Sequence, residues 1–209
     1  MPPRQAPPAG FAWPITRSGN PPYNSVTQGH GAVGTTTAGS AIGTDGAAPC
    51  IAIYIRTSAN GTLIAPSTIG TFLPPVFPIL MIPACYVAHI DSDSTLTSAD
   101  VPALKSLVTA KLAQHGLASA TEWFAIGGQT DRYFAEGVMT ALQERFGVAG
   151  LLDRAQAQNY NGFVVEFPAG GGDQKLLFTL RGIVDYSWSA VATATDGWSL
   201  RKVSGALTF

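Results

Sequence analysis

The spacing of apolar positions changes along the chain, and each change predicts an element. At 51–56 (IAIYIR), Ile51, Ile53 and Ile55 alternate with Ala52, Tyr54 and Arg56, the period of two that marks a strand. Over 101–115, Val101, Leu104, Val108 and Leu112 recur at helical spacing. Asp100 or Ser98 is placed to cap that helix, Pro102 suits its first turn and Gly116 ends it. A second helix is predicted from Thr130 or Asp131 to Gly147, burying Phe134, Val138, Ala141, Leu142 and Phe146. Between the helices, 122–126 (EWFAI) reads as a strand stopping at Gly127-Gly128, although Ser119-x-x-Glu122 also fits a capping box and a short helix. Residues 151–156 are predicted to add one or two helical turns.

From 163 onward the period is two again. A strand at 163–167 (FVVEF) precedes the turn formers PAGGGD. Over 176–194, Tyr186 and Trp188 share one face, and Asp185, Ser187 and Ser189 the other. Asp196-Gly197 is a hairpin signal, after which 198–209 returns with a bulge at Gly205. These segments predict a C-terminal antiparallel β-meander.

The stretch 57–90 contains no Asp, Glu, Lys or Arg, and 71–91 reads TFLPPVFPILMIPACYVAHID. Within it, 72–90 is nearly long enough to cross a bilayer as a helix. Pro74, Pro75, Pro78 and Pro83 forbid that, because each removes a backbone donor and collides with the preceding turn. A buried extended course is expected instead, with strand-like pieces at 79–82 and 85–90 and Pro83 at an edge or bulge. Asn60-Gly61 signals a turn, with 62–65 returning.

Residues 1–48 show neither period. The opening is proline-rich, and 29–48 is mostly Gly, Ala and Thr, a composition that cannot bury enough to fold alone. An extended arm is expected there, anchored by Phe11, Trp13 and Tyr23. The fold class expected is therefore α+β: an arm over 1–48, then a single domain over 49–209 with two amphipathic helices and the meander. The alternative is α/β, in which strands near Cys50, Cys85 and Glu122 alternate with the helices in a partly parallel sheet.

Charge sharpens this division. Charged residues are 12% of the chain and the net charge is −1, about half the share usual in soluble domains. Among residues 1–90 only Arg4, Arg17, Asp45 and Arg56 are charged, while only Pro102 and Pro168 of the prolines lie beyond residue 90. A generic basic nucleic-acid binder is excluded, since its affinity comes from neutralising phosphates. Attachment to anionic membranes is excluded likewise. So neutral a surface favours cover by other subunits. No secretory leader is expected, because no apolar core follows Met1. Cys50 and Cys85 sit among apolar neighbours and are expected as buried thiols rather than a disulfide.

Candidate chemistry is sparse. His89-x-Asp91-x-Asp93 puts possible metal ligands on one strand face, though a strand end before a polar turn explains the same residues. Gly127–Thr130 before Asp131 resembles an anion-binding helix start, but no P-loop or dinucleotide pattern accompanies it, and Asp131 is misplaced for a phosphate. The glycines at 170–172 suit a hairpin tip. His30 and His115 lie in the arm and at a helix end, so a triad would have to run through His89, and no GxSxG elbow supports one. Glu122, Glu136, Glu144 and Glu166 are read as solvated carboxylates. The set Phe163, Phe167, Phe178, Tyr186, Trp188 and Trp198 is read as core or interface. No catalytic, cofactor-binding or metal-binding residue is assigned, and no cofactor.

Read together, MPPRQAPPAG, GHGAVGTTTAGSAIGTDGAA and the closing WSLRKVSGALTF resemble, in composition and layout, structural proteins of tailed-bacteriophage virions. No family motif matches, so no functional residue is carried over. The resemblance implies a non-enzymatic subunit of a homo-oligomeric head, neck or tail component, located in the virion. Its partners would be copies of itself and other virion proteins, with no specific nucleic acid and no membrane. Two alternatives stand beside it: an α/β enzyme with a site near Asp91 and Gly127, and a surface binding module, which the missing leader disfavours.

Overall fold

The computed structural model describes residues 11–12, 23–35, 39–47, 49–56, 84–92, 95–120, 122–128, 131–147, 160–170, 175–179, 188–189 and 196–209. The expected turns and strand pieces at 60–65 and 79–82, the helical turn at 151–156, and Trp13, Asp93, Gln129 and Thr130 lie outside them.

The chain is built around β6 (Ala84–Ser92). It pairs antiparallel with β5 (Ile51–Arg56) on one side and β3 (His30–Thr35) on the other. β7 (Glu122–Gly127) adds to the far edge of β5, also antiparallel. β6 and β7 therefore run in the same direction with β5 between them, and α1 (Val101–Gln114) joins them as a split crossover. α2 (Arg132–Phe146) follows. Among the described residues, a second sheet takes the order β1 (Phe11–Ala12), β9 (Lys175–Thr179), β8 (Gly162–Glu166), β4 (Ala41–Thr44), β2 (Tyr23–Ser25), β10 (Trp188–Ser189).

Over β5, β6 and β7 the central sheet is buried on both faces, because these strands carry apolar residues at odd and even positions alike. One face presents Ile51, Ile53, Ile55, Tyr86, Ala88 and Ile90 to the helices. The other presents Ala52, Tyr54, Cys85, Val87, Phe124 and Ile126 to the second sheet, which contributes Ile42, Phe163 and Val165. The result is three layers: helices, central sheet, second sheet. Tyr54 stacks on Phe124 at 5.1 Å, and Phe124 meets Phe163 edge-on at 4.8 Å. Such pairs add about 0.5–1.5 kcal/mol each beyond their buried area.

The helices form where the periodicity places them. Leu104, Val108 and Leu112 are the buried stripe of α1. α2 is capped by Asp131, whose carboxylate accepts from Phe134 N at 2.9 Å, and it stops at Gly147. The entry to α1 differs from expectation. A 3-10 turn, Ser98–Asp100, precedes the helix, and Asp100 turns back to accept from Thr97 N and Thr97 Oγ1, both at 2.8 Å. Segment 122–126 is a strand, as expected, and not a helix.

The α+β expectation is overturned in two places, and the fold is mixed α/β with partly parallel sheets. First, residues 23–47 are not an arm. β3 lies in the central sheet, and β2 and β4 lie in the second. Their glycines are the reason the segment looks featureless. A Cβ on Gly31 would overlap the Tyr86 hydroxyl and the Trp198 indole nitrogen, and one on Gly43 would overlap the Phe163 carbonyl. These positions make room for large neighbours distant in sequence.

Second, the C-terminal segments do not form one meander. β8 and β9 pair antiparallel, but β10 runs parallel to β2 in the same sheet. β11 (Asp196–Gly197) pairs antiparallel with β3, so the expected turn is a strand. β12 (Ser199–Val203) runs parallel to the end of β6 and makes a hairpin with β13 (Ala206–Thr208). The turn of that hairpin is Ser204-Gly205, at φ 50° and 85°, where a bulge was expected. Two successive positive φ values suit the right-handed twist of a two-residue hairpin. Among the described residues, the parallel pairs are β1–β9, β2–β4, β2–β10 and β6–β12. The strands near Cys50, Cys85 and Glu122 do not make parallel pairs with one another: β5 pairs antiparallel with both β6 and β7.

Candidate functional site

β6 directs Cys85, Val87, His89 and Asp91 toward the second sheet by strand alternation. The polar side chains gather at one end, where the ends of β6 and β7 flank the start of β5: Ile51 is opposite both Ile90 and Gly127. Thr44, the last residue of β4, faces them from the second sheet and is fully buried.

The hydrogen bonds set the protonation of His89. The Thr44 hydroxyl donates to Val26 O at 2.6 Å, so toward His89 Nδ1, 2.8 Å away, it accepts. The imidazole proton therefore sits on Nδ1, and Nε2 carries a lone pair. His89 is 2% exposed, and its Nε2 has no hydrogen-bond partner among the described residues. Burial brings its pKa from 6.5 down to about 4, against the opposing pull of Asp91 and Asp45.

Cys50 lies beside this group. Its thiol donates to Asp91 Oδ1 at 3.5 Å. Burial, the Asp91 charge and that bond together push the thiol up to about 12. Cys85 is also pushed to about 12 by burial, with Arg56 opposing. Both are free, buried thiols, as their apolar neighbours predict.

The chemistry open to this group follows. A cysteine nucleophile needs thiolate character and a base within reach. Here the thiol is held protonated against a carboxylate, and the histidine directs its proton at a threonine whose own proton is committed elsewhere. The cluster is a buried polar joint between two sheets.

His89 and Asp91 share a strand face, as their spacing predicts. Among the described residues, no group of three or more His, Cys, Asp or Glu is placed to hold a metal ion. The Gly127-Gly128 turn does approach the same place: Gly128 N donates to Cys50 O at 2.7 Å. Cys50 thus touches both Asp91 and the turn. The turn is filled from within, since a Cβ on Gly127, at φ 93°, would overlap the carbonyl oxygens of Ala47 and Cys50. The N-terminus of α2 is occupied by its own Asp131.

The other candidates are scattered. His30 is exposed at the start of β3, with Nδ1 2.9 Å from Gln28 O. His115 is buried and stacks on Tyr86 at 5.0 Å, on the helix side of the sheet. Glu144 pairs with Lys105 at 3.0 Å on the surface. Phe163 and Phe167 belong to the core between the sheets and Trp198 to the core under the helices. Gly170 is exposed, and 171–172 lie outside the described residues.

Sequence reasoning missed Thr44 and the role of Cys50. Their signal is weak: a hydroxyl closing an otherwise apolar AIGT strand, and a thiol opening IAIYIR. No described helix is long and apolar enough to cross a membrane. Compared with known protein families and with curated proteins, the sequence matches none.

Proposed function

We propose that the chain is a structural subunit of a homo-oligomeric assembly, a tailed-phage head, neck or tail component. One observation carries the reading. β5 and β6 form an antiparallel pair whose adjoining ends are Arg56 and Cys85. The chain between them, 57–83, contains no charged residue and includes TFLPPVFPILMIP. A segment of that composition leaves and rejoins the sheet at one spot. A stretch so apolar and free of charge needs cover from water, which a neighbouring subunit can supply. The virion assignment rests on the compositional resemblance alone. Neighbour-draping by residues 23–47 no longer supports it, because those strands belong to the subunit's own sheets.

The test follows from the register. Because Arg56 is opposite Cys85, residues 57–84 can be replaced by an Asn-Gly turn without moving either strand. The full chain should sediment as a multimer and the shortened chain as a folded monomer. A full chain that stays monomeric at all concentrations, or a shortened chain with the same multimeric state, overturns the reading.

A further inference from the structure

His89 bridges two layers of the fold. It is buried between two sheets, it belongs to one of them, and its hydrogen-bond partner belongs to the other. Thr44 is the last residue of β4, His89 is near the end of β6, and their 2.8 Å contact crosses the interlayer. The contact is inside the core: Thr44 is 0% and His89 2% exposed.

Adding a proton to this ring changes only Nε2, because Nδ1 already donates to Thr44. Nε2 would then be a charged donor with no acceptor among the described residues. Thr44 gives no relief, since its hydroxyl proton is spent on Val26 O at 2.6 Å. A buried charge lacking a partner is met by movement toward water.

The charged and titratable groups around the ring come from each neighbouring stretch. Asp91 stands two residues on in β6, with Cys50 bonded to it from the start of β5. Asp45 follows Thr44 and is half-buried. From β3, His30 is opposite His89 in register but exposed. Asp91 and Asp45 draw the protonated ring toward the partly open rim where they lie.

We propose that His89 is an acid-operated fastener between the two sheets: neutral, it holds β4 against β6, and protonated, it lets that end of the second sheet open. The motion is local, since the joint lies at one end of the interlayer and the Tyr54–Phe124–Phe163 packing lies at its middle. Opening exposes the Cys50 thiol, which supplies a chemical reporter.

The experiment uses the full chain. Hydrogen exchange is followed by mass spectrometry between pH 7 and pH 5, above the range where carboxylates titrate, and corrected for the intrinsic pH dependence of exchange. Peptides spanning 41–47 should lose protection about 20-fold, as linkage requires for a ring taking its proton far more readily when exposed. Peptides of α1 and α2 should hold theirs. Reaction of Cys50 with 4,4′-dithiodipyridine, which reports thiols in acid, should accelerate in parallel. In His89→Gln, which takes up no proton, the pH response should vanish. In His30→Asn it should persist.

An equal pH response in wild type and His89→Gln overturns the proposal. So does loss of protection spread evenly over sheets and helices. Should His89→Gln fail to fold, histidine NMR on the wild-type chain decides. A His89 ring that carries its proton on Nε2, or that titrates without any change in 41–47 protection, overturns it too.

Discussion

Trp198 Nε1 donates to the Tyr86 hydroxyl over 2.6 Å, which ties the residue before β12 to the middle of β6. Both side chains are buried. Around the bond, His115 stacks on the Tyr86 ring, Phe209 meets the Trp198 ring edge-on at 5.0 Å, and Lys111 Nζ lies 5.7 Å from the Trp198 ring. The C-terminal hairpin is therefore fastened to the helix side of the core by a polar bond inside an aromatic group.

Trp198→Phe retains an aromatic ring and leaves the Tyr86 hydroxyl without this donor. A buried polar group stripped of its partner costs about 1–3 kcal/mol, so the urea midpoint should fall accordingly. The double variant Trp198→Phe/Tyr86→Phe should recover part of that loss, because the hydroxyl that lost its Trp198 donor is gone. A double variant as unstable as the sum of the two single variants would show that the bond itself contributes little.

Gly31 faces the same bond from β3. In Gly31→Ala the new methyl overlaps the Tyr86 hydroxyl and the Trp198 nitrogen. Overpacking of this kind costs about 1–3 kcal/mol. Removing the hydroxyl with Tyr86→Phe should make the alanine more tolerable, a coupling read directly from a double-mutant cycle.

Asp100 accepts from Lys202 Nζ at 2.7 and 2.8 Å and from Thr97, joining the hairpin to the entry of α1. The Lys202 bond is the main cause that lowers its pKa from 3.8 to about 2, with the Thr97 bonds next. The folded form thus holds its carboxylate charge more strongly than the unfolded form. The stabilisation is complete above about pH 4 and is lost as pH falls toward 2. Lys202→Met should return the Asp100 midpoint, followed by carboxyl carbon shifts, toward 3.8.

His89 carries the opposite sign. Its pKa is lowered from 6.5 to about 4, so below 6.5 the unfolded chain takes up a proton that the folded chain refuses. Stability from this residue is full above pH 6.5 and disappears between there and pH 4, by roughly 3 kcal/mol in all. Denaturant midpoints measured across that interval should slope downward toward acid in the wild type and flatten in His89→Gln.

The hairpin turn gives a fifth test. Ser204 holds a φ of 50°, a conformation that asparagine and glycine tolerate better. Ser204→Asn should raise the melting temperature slightly. Gly205→Ala, at φ 85°, should lower it, by a loss of about 1 kcal/mol.

What was legible in the sequence were elements whose partners lie within themselves. The helices announce Leu104, Val108 and Leu112, or Asp131 and Gly147, through local spacing and caps. β5 announces itself by alternation. Not legible were pairings whose reason is distant. The glycines of GHGAVG look like a linker until Tyr86 and Trp198 are seen to fill the space above Gly31. Asp196-Gly197 has the composition of a turn, yet lies flat against β3. Ser204-Gly205 makes the turn with a less conspicuous dipeptide. At the candidate site, alternation placed His89 and Asp91 together. Nothing local indicated that Thr44 would reach His89 from the other sheet, or that Cys50 would bond Asp91.

Three chain segments meet at one end of β6: Gly29 N donates to His89 O at 2.9 Å, Trp198 N to Gly29 O at 2.7 Å, and Asp91 N to Trp198 O at 3.0 Å. Residues 28–31 are synthesised early, β6 midway, and 196–200 after β3, β5, β6 and β7 have all been made. A growing polypeptide therefore holds this rim open throughout the production of both helices, and β3 gains its last neighbour only when β11 emerges. Pairings so widely separated along the chain are slow to form. The nascent protein depends on the timing of its final strands to seal the edge that holds His89, and until then that edge is exposed to whatever else the cell offers it.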